Sequence, residues 1–477
     1  MPGTLELTAD SAATLSPPSA IPALNKRAGI AMRPEITSAP VALPLYVNHP
    51  QARQYQLMSQ LLDAHPEVEE LVLRDLLRDL KEPGQGRGGM SARQVLRVLL
   101  IKQTTQLSYE DLAFHIADSV TCCMFCGFDR PAAVPHKSAL QNNLARMRDT
   151  TLEQINRVVL REAVVQRVES GQQTRTDCTV VETPIHKPTD SSLLWDGIRR
   201  LTLVLNRAVT AGYKVPATDR TREAKRAALA ILNAANEEER QPLYEQLLEL
   251  AWATAWDAQE GAAVLEQHGG DEHAQGAALK LRQGMELLAR VIDQAQRRVL
   301  LGKKVPAEQK VLSLTEWHTD LIVKDRRDSQ FGHKVCFTFG KSSLVLECQV
   351  LEGNPADVTL TVPMMKRHQE VYGKAPQSAA FDGAFTSREN LRALKEMGVE
   401  QIAFSKRRGI PIEDMCSSEA EYQRLRRFRA GAEGCISFLK RALGLRRCLW
   451  KGPQGFRAYV WGRVLAANLL LLARHLL

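Results

Sequence analysis

Residues 378–405 read SAAFDGAFTSRENLRALKEMGVEQIAFS. A short apolar run ends on Asp382, Ser387 stands where a helix N-cap belongs, and a second apolar run follows. The expectation is a strand over 378–382, a helix over 387–397 and a strand over 400–405. Strand, helix and strand in succession imply parallel pairing, because a helix is the usual crossover between parallel neighbours. Upstream, residues 332–339 and 343–352 read as a hairpin around Gly340-Lys341-Ser342, and a helix is expected over 358–372. Residues 174–183 are rich in β-branched side chains and stop at Pro184, a further strand. A last long helix starts near Ser418. The fold class is α/β, with a mixed five-stranded sheet over residues 171–190 and 310–477.

The period changes between the first strand and the rest. Residues 191–309 are dominated by Ala, Leu, Glu, Gln and Arg at helical spacing, which reads as an all-helical insertion of two or more long helices. Residues 46–170 form a helical N-terminal domain: one helical stretch over 54–80, a glycine-rich connector at 83–89, and three short helices opened by Ser91, Ser108 and Ser138. The third, over 140–148 and preceded by Lys137, offers Lys137, Gln141, Asn142 and Arg146, and the three helices together are compatible with a helix-turn-helix that reads base edges and phosphates. A polar solvent face on a helical bundle accounts for these side chains equally well. Cys122, Cys123 and Cys126 lack a fourth zinc ligand at ordinary spacing and read as buried structural cysteines. Residues 1–45 hold seven Pro and only six charged side chains, and read as a disordered leader.

Composition narrows the classes. The chain has 477 residues, 44% of them hydrophobic and 25% charged, which suits two to four globular domains at roughly 100–200 residues each. The longest near-apolar stretch, residues 464–473, is short of the ~20 residues a membrane span needs, and no signal segment opens the chain. A cytoplasmic, nucleoid-associated protein with no membrane partner is expected. The net charge is +9, and residues 401–477 carry 15 Lys and Arg against 5 Asp and Glu, so this segment accounts for the whole surplus.

Three carboxylates stand where this topology converges: Asp177 in the first strand, Asp382 after the short strand, and Glu433 in the last long helix. Neighbouring parallel strands bring their ends to a common edge, where sites of open α/β sheets form. Carboxylates crowded there repel one another unless a divalent cation compensates them, and hard oxygen ligands suit Mg²⁺, with Mn²⁺ as a substitute. Two such ions ~4 Å apart support phosphodiester cleavage. At 100° per residue, Arg429 lies about 40° and Lys440 about 20° from Glu433 on the helix, and Arg426 shares that face. Cations beside metal-binding carboxylates suit a nucleic-acid phosphate.

The spacing Arg429-(3)-Glu433-(6)-Lys440 resembles the Tyr-(2)-Arg-(3)-Glu-(6)-Lys signature of insertion-sequence transposases with an Asp-Asp-Glu triad on an RNase H-like fold. Arg426 holds the position of the signature tyrosine. Asp382-Gly383-Ala384-Phe385 resembles the block around that family's second aspartate. Thr176-Asp177-Cys178-Thr179, the run from Thr189-Asp190 to Trp195, Trp317-His318-Thr319-Asp320 and Phe331-Gly332-His333-Lys334 resemble the ISNCY-type branch. The likeness covers roughly residues 90–477. It implies DNA as substrate at element ends and target, two protomers bridging paired ends, catalysis by Asp177, Asp382 and Glu433 with two Mg²⁺, and no small-molecule cofactor. An RNase H-like nuclease or a non-catalytic DNA-binding regulator are the other classes these features admit. Glu182, Asp190 and Asp196 are nearby decoys for Asp177; His318 and Asp320 read as turn residues and Trp195 as core packing.

Overall fold

The computed structural model describes residues 43–45, 47–78, 89–324 and 328–477. The leader expected over 1–45 and the connector expected at 83–89 fall almost wholly outside them. Leu43 is buried in the core, so packing begins before the boundary placed at residue 46.

Helices fill the first part of the chain. The single helical stretch expected over 54–80 is two helices, α1 (Pro50–Asp63) and α2 (Glu67–Leu77). Pro66 divides them, because it lacks an N–H and its ring clashes with a preceding helical turn. α3 (Ala92–Thr105) opens with a capping box of Ser91 and Gln94, and Ser108 caps α4 (Tyr109–Asp118) by accepting the Asp111 N–H. α5 (Val120–Phe125) carries Cys122 and Cys123, which are buried together with Cys126; all nine cysteines of the chain are free. The helix expected over 140–148 is α6 (Lys137–Leu144), which stops early. Asp75 accepts the Arg148 N–H at 2.9 Å and fixes the chain where α7 (Asp149–Val165) begins.

The sheet has six strands among the described residues, one more than expected: β1 (Gln173–Glu182), β2 (Asp320–Lys324), β3 (Asp328–Gly340), β4 (Val345–Val350), β5 (Ser378–Phe381) and β6 (Gln401–Phe404). β1 pairs antiparallel with β3 and parallel with β5, β5 parallel with β6, and β4 antiparallel with β3. The additional strand is β2, which pairs with the start of β3. Four helices make the insertion: α8 (Asp190–Thr210), α9 (Thr221–Asn233), α10 (Glu237–Glu266) and α11 (Glu272–Ala295). They enclose a core of their own, with Leu194, Leu201, Leu247, Leu281 and Leu288 buried. Trp195 packs on its edge, beneath the cations of Arg199 and Lys225.

The chain re-enters the sheet through a buried polar relay. Glu316 accepts from His318 Nε2 at 3.0 Å, His318 Nδ1 lies 2.6 Å from His333 Nε2, and His333 Nδ1 lies 2.8 Å from Asp320. Glu316 also takes the Gly452 N–H and Asp320 the Gly353 N–H, so the relay ties β2 and β3 to the chain's last helix. His318 and Asp320 thus shape the turn into the hairpin. Sequence periodicity did not show the two partners that complete the relay.

After β4 come α12 (Thr361–Tyr372), α13 (Arg388–Glu396), α14 (Ile412–Met415), α15 (Glu419–Arg441) and α16 (Gly452–Leu476). α12, α13 and the first turns of α15 cover one face of the sheet, around Phe381, Phe404, Met364, Met365 and Leu425. The opposite face, with Phe337 and Phe339, joins one core with the N-terminal helices and α16. α16 corrects the sequence estimate: by length and composition it reaches what a membrane span requires, yet 89% of its most apolar window is buried inside the protein. Its Asn468 accepts the Val345 N–H and donates to the Val345 carbonyl, both at 2.8 Å, and so satisfies backbone groups on the outer side of β4.

β4 also carries a buried carboxyl. Glu347 is 1% exposed and accepts from Arg367 Nε at 3.0 Å, and burial outweighs that pairing to push its pKa up to about 7. The folded protein therefore holds a proton that the unfolded chain has released by about pH 5. The stability from this group is present below the ordinary glutamate range and lost as pH rises through 7. Between pH 5 and 8 the loss should be about 2 kcal/mol. Urea denaturation at both pH values should show Glu347→Gln free of that increment; an unchanged pH dependence would remove Glu347 as its source.

Candidate active site

β1 and β5 place the first two carboxylates. Their parallel register runs Thr176 opposite Phe381, so Asp177 and Asp382 are the next residues of adjacent strands. α15 crosses β1, β5 and β6 and brings Glu433 over the same edge. Arg429, one turn earlier, joins all three. Its Nη2 lies 2.8 Å from Asp177 Oδ2 and 3.2 Å from Asp382 Oδ1, and its Nη1 lies 3.2 Å from Glu433 Oε1. The Asp177 and Asp382 oxygens sharing Nη2 are at most 6.0 Å apart, the sum of their distances to it.

The three are held differently. Asp177 accepts the Cys178 N–H at 2.8 Å and is enclosed, with 14% of its side chain exposed. Burial raises its pKa, partly offset by Arg429 and the Cys178 N–H, while Asp382 and Asp357 push the same way as burial. At Asp382, burial also acts upward, but the Ser405 hydroxyl at 2.8 Å, the Gly383 N–H, Arg429 and Lys406 together hold it below the usual range. Glu433 is 73% exposed and reaches in from solvent. Neighbouring carboxylates of unlike environment are thus drawn to one point by one guanidinium.

Sequence reading missed three supports. Ser405 follows β6 and fixes Asp382. Asp357 lies near enough to act on Asp177 and is itself paired with Lys334. Arg175, buried two residues before Asp177, donates to the Phe428 carbonyl at 3.0 Å and Ser343 Oγ at 2.9 Å, pinning α15 to β1. Gly431 makes that crossing possible, since a β-carbon there would stand 2.1 Å from Arg175 Nη1. The signal in the sequence is a glycine inside a helix, where it costs about 1 kcal/mol relative to alanine.

The other candidates are dispersed. Arg426 is exposed, its guanidinium 5.8 Å from the Tyr422 ring centre, and half-buried Lys440 lies on the last turn of α15. On α6, Gln141 and Asn142 are exposed and Lys137 pairs with Glu110 at 2.7 Å. Arg146 turns inward, donating to the Leu76 carbonyl at 3.0 Å and that of Arg78 at 3.3 Å, so here its guanidinium closes the end of α2. The decoys are engaged elsewhere: Asp190 holds Gln294 and Arg298, Asp196 pairs with Arg199, and Glu182 exchanges backbone bonds with residues 446 and 448.

A family model described as a transposase DDE domain matches residues 315–469, and one described as a transposase domain (DUF772) matches residues 45–146. These domains indicate a transposase. The DDE match takes in Asp382, Arg429 and Glu433, while Asp177 lies before it, beyond the helical insertion. The other match covers α1 to α6. No curated protein and no solved structure matches the chain.

The donor set suits a hard divalent cation: three carboxylates and no sulfur or imidazole at the point of convergence. Among the described residues no group of metal-ligating side chains is already assembled, and Arg429 is the cation the carboxylates share.

Proposed function

We propose that the chain is an insertion-sequence transposase of the Tyr-Arg-Glu-Lys signature class, cutting phosphodiester bonds at element ends and joining the 3′-hydroxyl to target DNA. The observation that carries this reading is the convergence of Asp177, Asp382 and Glu433 on Arg429. The strand order β4-β3-β1-β5-β6, antiparallel in its first half and parallel in its second, supports an RNase H-like fold.

Asp177, Asp382 and Glu433 would hold two Mg²⁺, which when bound supply an activated attacking oxygen and stabilise the leaving one. The chain does the positioning. β1 and the Cys178 N–H fix Asp177, and Ser405 fixes Asp382, so two ligands are set before substrate arrives. Glu433, on a helix and open to solvent, is the ligand free to adjust. Arg429 balances the carboxylates in the free protein, and Arg426, Arg429 and Lys440 face the path of a bound strand's phosphates. On α6, Lys137, Gln141 and Asn142 offer contacts to end DNA; two protomers would bridge paired ends.

With Mg²⁺, the purified protein should nick duplexes carrying the DNA that flanks its gene, leave a 3′-hydroxyl, and join it to a second duplex. Inverted repeats should bound the gene. Cleavage without joining would make the chain a nuclease of this fold, and binding without cleavage a regulator.

A further inference from the structure

Beyond the carboxylates, the turn after β6 is built in a way that its own chemistry does not favour. Lys406, Arg407 and Arg408 are three successive exposed cations, and none enters an ion pair among the described residues. Ile410 N–H donates to the Arg407 carbonyl at 3.0 Å, with φ of +50° at Arg408 and +80° at Gly409, which is the geometry of a type I′ turn. Such turns favour Asn, Asp or Gly at both central positions, so an arginine held left-handed is a strained choice. The turn is fixed at both ends. Ile410 is buried, Thr386 Oγ1 donates to the Lys406 carbonyl at 2.7 Å, and Arg388 reaches the Gly409 carbonyl at 3.3 Å.

Its position is equally specific. Ser405, which holds Asp382, immediately precedes it, and the Lys406 stem lies against Gly383, where a β-carbon would come within 2.7 Å. Arg407 and Arg426 both act on Tyr422, so the turn and the exposed face of α15 form one cationic rim beside Asp382.

We propose that Lys406, Arg407 and Arg408 form a rigid clamp for the phosphodiester backbone of a DNA strand running past the Asp382 side of the active site. This rests on the reading of the chain as a DNA-processing transposase. A flexible basic tail would give attraction without position, whereas three cations on a pinned turn fix where the backbone lies relative to Asp382. The strand belongs either to the element end or to the target, and both present the same phosphates.

The test measures duplex binding by fluorescence anisotropy across a range of salt, with the full chain, on a nonspecific duplex and on one from the DNA flanking the gene. Replacing Lys406, Arg407 and Arg408 by glutamine should weaken binding at least about tenfold at physiological salt and lower the slope of log affinity against log salt by about 2 to 3. The control removes equal charge from exposed positions on the insertion, Arg222, Arg226 and Lys280. Loss on both duplexes, or on one, supports the clamp, and loss confined to one assigns the strand. A slope equal to the control's on both duplexes overturns it. Arg408→Gly gives a second readout: relief of the left-handed strain should raise the melting temperature while the slope falls by about 1. A higher melting temperature with an unchanged slope overturns the role of Arg408. If the unaltered protein shows no salt-dependent duplex binding, the transposase reading itself fails, an outcome distinct from failure of the clamp alone.

Discussion

Asp382→Asn should lower Mg²⁺-dependent cleavage of element-end DNA by about a thousandfold or more, while the protein folds and binds DNA as before. The substitution keeps side-chain volume, and an asparagine Oδ1 still accepts the Ser405 hydroxyl, now at 2.8 Å from Asp382. What it removes is one negative charge from a site that has three. A metal ligand's share of transition-state stabilisation is several kcal/mol, and each 1.36 kcal/mol is tenfold in rate. Structural loss should be small, because Asp382 is more than a third exposed and its pairing with Arg429 is screened. Two measurements separate the effects: gel-based cleavage with Mg²⁺, and duplex affinity in its absence. Mn²⁺ affinity of the DNA-free protein, read by calorimetry, should fall too. Cleavage at the unaltered rate would remove Asp382 from the active site and leave the convergence of carboxylates without a catalytic meaning.

How far the sequence carried depends on the range of each interaction. The run from Ser378 to Ser405 was legible because its signals are local: an apolar run, a capping serine, a second apolar run. Ser387 does cap α13, and the two strands pair in parallel. Where a neighbour distant in sequence decides, reading along the chain failed. Arg146 looks like a base-reading side chain on a polar face, but its acceptors lie about seventy residues away at the end of α2. β2 escaped notice because it is five residues long and becomes a strand by pairing with β3. α16 was read as ten near-apolar residues because Arg463 and Arg474 bound the run, yet Arg463 is buried against the distant Gln103 carbonyl and Asn468, inside the run, against Asn156, partners that the local sequence does not contain. The active site divides in the same way. Helical spacing placed Arg429 and Glu433 on one face of α15, while the reach of that arginine to Asp177, 252 residues away, is a product of the fold.

Arg429→Ala is the larger structural perturbation, and its consequences separate two jobs for one guanidinium. In the free protein, Arg429 compensates three carboxylates of unequal burial. The Glu433 pair is worth little, since that side chain is 73% exposed, and the Asp177 pair carries most of the stabilisation because both partners are 14% exposed. Losing it should cost about 1–3 kcal/mol in urea denaturation, short of the full cost of breaking a fully buried pair. Cleavage should fall about 100-fold or more, the usual result of removing a placed positive charge from a reacting centre. Arg429→Lys should rescue neither fully, because an ammonium is a compact charge and cannot span Asp177, Asp382 and Glu433 as a planar fork does. The salt dependence of DNA binding tells the jobs apart. If Arg429 leaves the carboxylates for a phosphate when DNA enters, the alanine variant should lose about 0.9 from the slope of log affinity against log salt. If the slope is unchanged while stability and cleavage both fall, Arg429 stays with the carboxylates throughout and its phosphate role is wrong. A guanidinium already satisfied by three carboxylates has to be released before it binds DNA, so a bound cation that takes over those carboxylates should strengthen DNA binding by the unaltered protein. Arg429→Ala should abolish that Mg²⁺ enhancement of affinity, and its persistence in the variant would show that metal and arginine do not compete.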